Sequence, residues 1–162
     1  MCIRDSYKGY GSEPDARVTV EDIHVLAAGG QNASIDDIIM SAMEGRINEC
    51  DASYKRAVDG KINSAVVLRA LQRHLGRLIE ANGKMARGET AQSAIKYLRP
   101  PVFKMQERYF LAQLRIWPRR ALKRGLSQSL EAEKMLKTAG SPADAITGRL
   151  LLALASFAKK RR

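Results

Sequence analysis

The chain is predicted to be all-α, a helical bundle, on three observations. Apolar residues recur at three- and four-residue spacing, most clearly Leu68, Leu71, Leu75, Leu78 and Ile79, which is the period of one helix face. Polar cap residues and glycine or proline stops punctuate these stretches at helix-length intervals. No run of useful length alternates apolar and polar residues, and no unit repeats at a fixed spacing.

The first helix starts at Thr19, with Asp22 three residues on as a capping-box-like pair. It runs through Val20, Ile23, Leu26 and Ala27 and stops at Gly29–Gly30. Ser34 and Asp37 repeat the device ahead of Ile38, Ile39, Ala42 and Met43, and Gly45 ends that second helix. A third spans Ile47–Val58 and closes at Gly60. The fourth and longest runs from Asn63 or Ser64 to Asn82 or beyond. Thr90 begins a fifth, which ends before Pro100 because the residue preceding a proline is pushed out of the helical region. A sixth covers Val102–Ile116. Pro118 sits in the first turn of a seventh, which reaches Thr138 and stops at Gly140. Ser141, Pro142 and Asp144 open the eighth, where a serine oxygen accepts from orphan amides and proline lacks only an unneeded donor.

Of 162 residues, 45% are hydrophobic, enough for one sizeable core and the tail of a second domain. Ile146–Ala158 is the longest nearly uncharged run, but it contains Arg149 and is too short for a bilayer, which needs ~20 apolar residues. The opening MCIRDS is followed by no apolar core, so it is not a signal peptide. It reads instead as an adapter-derived scar covering residues 1–6, and Met1 is then not a natural start. With Cys2 inside that scar, Cys50 is a lone thiol, which points to a reducing cytoplasm and excludes a disulfide framework. Net charge is +11 and uneven: residues 1–60 hold 6 Lys/Arg against 11 Asp/Glu, and residues 61–162 hold 22 against 6. A basic back half suggests a polyanion, or an acidic neighbour in an assembly.

The stretch LRPPVFKMQERYFLAQLRIW, Leu98 to Trp117, is the most distinctive. A Pro100–Pro101 break is followed by an aromatic, a cation and an amphipathic run ending at Trp117–Pro118. Together with EAEKMLKTAGSPADAITGRLLLALASFA, Glu131 to Ala158, it resembles the C-terminal part of the delta subunit of bacterial DNA polymerase III. That subunit belongs to the clamp loader, which places the ring-shaped sliding clamp on primed DNA. The resemblance covers the chain from Tyr7 onward and is strongest from Val66. It implies that residues 7–30 are the end of a small helical AAA+ lid domain and residues 31–162 the collar domain that joins sister subunits into a ring. It also implies an ATPase-like domain upstream carrying the main clamp contact, so this chain would not load a clamp alone.

No catalytic or metal site is legible. His24 and His74 are isolated from any Ser, Cys or acid spacing of a triad or metal site, and no phosphate-cradling loop is present. Asp36, Asp37, Glu44 and Asp51 read as capping or solvated acids. No cofactor is implied. The resembled holoenzyme is a DNA-directed DNA polymerase, a nucleotidyltransferase, but this chain shows no metal-binding carboxylate pair for that reaction.

Binding candidates remain. Arg69, Arg73 and Arg77 form one helical row, either a solvated face or a line of phosphate contacts. Arg119, Arg120, Lys123 and Arg124 crowd the first turns of the seventh helix, where cations oppose the dipole; a nearby phosphate or carboxylate would explain them. Phe103 is either a core ring or, held out by the Pro-Pro corner beside Arg99, Lys104 and Arg108, a stacking surface for the end of a DNA duplex. Trp117 reads as core. In the last helix Leu150, Leu151, Leu152, Leu154 and Phe157 point in several directions. That makes it either the central helix of the bundle or a contact with a sister subunit, with Leu150, Leu151, Leu154 and Phe157 as the interface. Lys159–Arg162 reads as a frayed basic tail.

The expectation is therefore a cytoplasmic, non-catalytic scaffold of the clamp loader. It would bind the other loader subunits, bind primed DNA weakly, and bind the sliding clamp only through the missing domain. The alternative is a free-standing basic helical module that binds nucleic acid directly.

Overall fold

A 22-residue helix, Ser64–Met85, carries the rest of the bundle. The structure, a computed structural model, describes residues 34–162, which form one compact unit. The helices are α1 (34–43), α2 (Ile47–Asp59), α3 (Ser64–Met85), α4 (Ala91–Lys96), α5 (Lys104–Ile116), α6 (Arg119–Leu136) and α7 (Ala143–Lys159). The all-α bundle is what the residue spacing predicted. The expected scar, the expected lid segment and the helix expected from Thr19 lie outside the described residues.

Asn63 starts α3 by accepting a hydrogen bond from the Ala65 amide at 2.8 Å, satisfying one of the orphan donors of the first turn. Val67, Leu68, Ala70, Leu71, Leu75, Leu78 and Ala81 are all buried. That set is too broad for one partner helix, and α4, α5, α6 and α7 all pack against it. α6 runs antiparallel to α3. Gln72 Nε2 donates to Glu133 Oε2 at 2.9 Å near one end, Gly125 sits against Leu75 in the middle, and Asn82 reaches the Trp117 carbonyl at the other.

α2 and α7 form a second pair joined by Tyr54. Its hydroxyl donates to the Asp144 carbonyl at 3.0 Å and shares a 2.8 Å hydrogen bond with Ser64. Its ring lies where a β-carbon on Gly148 would stand 3.0 Å away. α1 closes the far side, and the Met43 carbonyl accepts from Trp117 Nε1 at 2.8 Å. The turn after α1 needs glycine twice over. Gly45 has φ +76°, and a β-carbon there would fall 2.5 Å from the Lys159 amide nitrogen. That atom is backbone of α7 and cannot swing aside.

Most predicted boundaries agree to within two residues, and the exceptions have local causes. Ser34 is itself helical rather than a cap. Pro118 is the N-cap of α6, with φ −67° and ψ 152°, and its carbonyl receives the Ala121 and Leu122 amides. Ser141 does not cap the last helix: Pro142 holds the N-cap position and the Ser141 hydroxyl is buried without a hydrogen-bond partner. Asp144 instead accepts from the Ser64 hydroxyl of α3, so a tertiary bond ties down the start of α7.

A buried polar pair lies between α3 and α5. His74 Nε2 donates to Gln113 Oε1 at 2.6 Å, and its ring meets Phe110 edge-on at 4.9 Å. Burial pulls the imidazole down from 6.5 to about 4, the Gln113 bond opposing and the Arg77 charge adding. Burial likewise pushes the Cys50 thiol up to about 11, which makes it an inert structural cysteine at neutral pH.

Two outcomes follow for stability. Gly45→Ala should cost about 2–4 kcal/mol through left-handed strain and overpacking, whereas Gly83→Ala, with open space around its β-carbon, should gain about 0.5–1 kcal/mol; denaturant melts of both variants check this. His74 has a folded value below its unfolded one, so the unfolded chain binds the extra proton between them. Its contribution is complete above pH 6.5, falls as pH drops towards 4 and is flat below. The loss is on the order of 3 kcal/mol, and urea melts from pH 7 to pH 4 should show His74→Gln lacking that component.

Candidate nucleic-acid interface

The α4–α5 corner is built by two prolines and an anchor. Leu98 is buried while Arg99, Pro100 and Pro101 are exposed. Arg77 of α3 donates from Nη2 to the Pro100 carbonyl at 2.9 Å, and its guanidinium lies 4.9 Å over the Phe110 ring. Lys84 holds the other side, its Nζ donating to the Tyr97 carbonyl at 3.1 Å. Phe103 then takes the N-cap position of α5 in an extended conformation, with its carbonyl accepting the Gln106 amide and its ring 73% exposed. The core reading of Phe103 is thereby excluded. The projecting one describes it, with Tyr97 and Met105 also exposed nearby in the chain and Arg99 and Lys104 on either side.

A shallow groove of about 200 Å³ runs from Phe103, Pro100 and Pro101 to Arg73, Arg77 and Asp36. The arginine row of α3 therefore meets the aromatic corner, which no spacing in the sequence announced. The row is not uniform: Arg69 faces Glu133 at 3.9 Å, Arg73 is exposed and Arg77 is half-buried. Burial raises the Asp36 carboxyl above its usual range, with Asp37 adding and Arg73 and Arg77 opposing. Burial lowers the Arg77 guanidinium, opposed by Asp36 and Glu80. A carboxylate among the arginines makes this corner a poor phosphate clamp and leaves stacking on Phe103 as its main asset.

Arg119, Arg120, Lys123 and Arg124 form a separate patch. All four are exposed on the first turns of α6, and among the described residues none forms an ion pair. The first turn of α6 contains no acid and Pro118 offers no side-chain acceptor, so the helix start carries both its own positive end and added cations. The seven predicted contacts thus fall at opposite ends of α5, separated by about 20 Å of helix rise.

The predicted subunit contacts need correction. Leu150, Leu151 and Leu154 are buried in the chain's own core, so they offer no broad apolar face to a sister subunit, and Leu154 meets the surface only at the floor of a groove. The outer strip of α7 is Ala145, Arg149 and Ala153. Phe157 is half-buried and tilts against Trp117 with ring centroids 4.8 Å apart. The large apolar side chains left exposed are elsewhere: Val66, Tyr97, Phe103, Met105, Leu130 and Met135. Of these the Pro-Pro corner announced only Phe103; the others leave no periodic signal, because a lone apolar side chain does not define a face.

Among the described residues no group of three or more His, Cys, Asp or Glu is gathered as for a metal ion, and no helix is long and apolar enough to cross a membrane. No protein-family model, curated protein or solved structure matches the chain.

The exposure of Phe103 has a direct test. Phe103→Ala should change stability by less than about 0.5 kcal/mol, whereas Phe110→Ala, at a ring 1% exposed, should cost about 3–5 kcal/mol. Thermal melts of the two variants distinguish a projecting ring from a core one.

Proposed function

We propose that the chain is a non-catalytic scaffold of a DNA polymerase III clamp loader, contributing the collar of its delta subunit. The observation that carries this reading is the ordered run of motifs from Val66 to Ala158, centred on a Pro-Pro corner that presents Phe103 between Arg99 and Lys104. In this role helix packing against sister collars holds an ATPase ring in register, and the aromatic corner meets the end of the primed duplex. With the leucines of α7 enclosed, the contacts with sister subunits fall to exposed apolar side chains, Val66, Leu130 and Met135 on α3 and α6 and Tyr97 and Met105 at the corner. The cytoplasm is the compartment this role requires.

A second reading, a free-standing basic module that binds nucleic acid, is favoured by that same enclosure, since a bundle that covers its own leucines has less need of neighbours. Mixing the chain with the remaining loader subunits and measuring mass by size-exclusion chromatography with light scattering separates the two. The scaffold reading expects a heteromeric complex that persists in salt, and weak binding of the isolated chain to primed DNA. Failure to assemble, together with tight DNA binding whose logarithm falls with log salt at about −0.9 per neutralised phosphate, would overturn it in favour of the module. Under the scaffold reading Phe103→Ala leaves assembly intact and weakens the DNA affinity of the assembled complex by about tenfold, in line with the loss of one stacked base.

A further inference from the structure

A groove of about 380 Å³ lies between the start of α6 and the last turns of α7. Its floor is apolar, made by Trp117, Ala121, Gly125, Leu154 and Phe157. Its rim carries three arginines, Arg120 and Arg124 from α6 and Arg161 from beyond α7, and among the described residues no lining residue is acidic. The groove beside Phe103 contains Asp36, and the one beside α2 contains Asp37 and Glu49, so this one alone of the three is wholly cationic at its edge. The volume suits one bulky side chain with a short length of backbone.

We propose that this groove docks an acidic peptide segment of a partner protein. One apolar side chain of the peptide enters between α6 and α7, and its carboxylates meet Arg120, Arg124 and Arg161. Charge complementarity selects the occupant. The three guanidiniums suit carboxylates in forked geometry, and the start of α6, with no acid of its own, gains from a negative neighbour. Nucleic acid fits less well, because stacking needs a free ring face. Trp117 is only 1% exposed and packs on Phe157, and the Phe157 ring is also covered by the Arg161 guanidinium at 5.6 Å. The proposal does not depend on the scaffold reading: it concerns binding by the chain alone and stands whether or not the chain joins a clamp loader.

Trp117 is the single tryptophan of the chain, so its emission reports the groove directly. The full chain is titrated with a short Asp/Glu peptide bearing one central Phe, with the same peptide bearing Ser in place of Phe, and with oligothymidylate. The Phe peptide is expected to bind and shift Trp117 emission, the Ser peptide to bind about tenfold or more weaker, and oligothymidylate not to displace the Phe peptide. Arg120→Glu combined with Arg124→Glu should weaken the Phe peptide by about tenfold or more, whereas Arg119→Glu combined with Lys123→Glu, off the groove lining, acts only through the shared field and should weaken it by about threefold or less. Both pairs are exposed, and circular dichroism confirms that the variants fold. Ala153→Glu, which places a carboxylate in the groove without touching the arginines, should abolish the emission shift. Absence of binding, equal binding of the Ser peptide, displacement by oligothymidylate, or equal effects of the two charge-reversed pairs would each overturn the proposal.

Discussion

The breadth of the apolar face on α3 is the constraint on which this bundle depends. Leu68, Leu71, Leu75 and Leu78 are each fully enclosed, and no single helix can cover a surface that wide. Helices drawn from the rest of the chain must therefore converge on it, and α4 to α7 do so in turn. Covering that face with leucines from α7 is also what removes those leucines from the exterior. The same packing that stabilises the fold thus decides which surfaces remain for partners.

Three polar contacts inside this core link different elements. His74 of α3 meets Gln113 of α5, Tyr54 of α2 meets Asp144 at the start of α7, and Trp117 after α5 meets the end of α1. A buried polar atom without a partner is costly, so each of these bonds favours one register of its two helices over others with similar apolar contact. The two glycines at close approaches act in the same sense. Gly45 marks where the α7 backbone lies too near for any side chain, and Gly148 of α7 marks a tight approach to the Tyr54 ring.

Charge is arranged around this frame in two unlike patches. The corner at Phe103 offers an open aromatic face with cations diluted by Asp36, whereas the start of α6 offers undiluted cations beside an apolar groove. The first suits stacking and the second suits carboxylates or phosphates. Their separation along α5 means that one small ligand cannot engage both.

Helix number, order and most boundaries over residues 34–162 were legible in the sequence, because caps, stops and a 3.6-residue period are local properties of the chain. So were the core role of Trp117 and the projecting option for Phe103, since a Pro-Pro corner restricts its neighbours whatever surrounds them. Other features depended on which helix lay against which, and no local signal carries that. The Ser141 cap yielded to a bond between Asp144 and Ser64. The leucines of α7 turned inward because α2, α3 and α6 surround them. The groove at Arg120 and Arg161 joins residues that the chain separates by most of two helices. Local conformational preference determined the elements; only the burial of shared apolar surface, which sums over distant parts of the chain, decided which side chains were left to meet a partner.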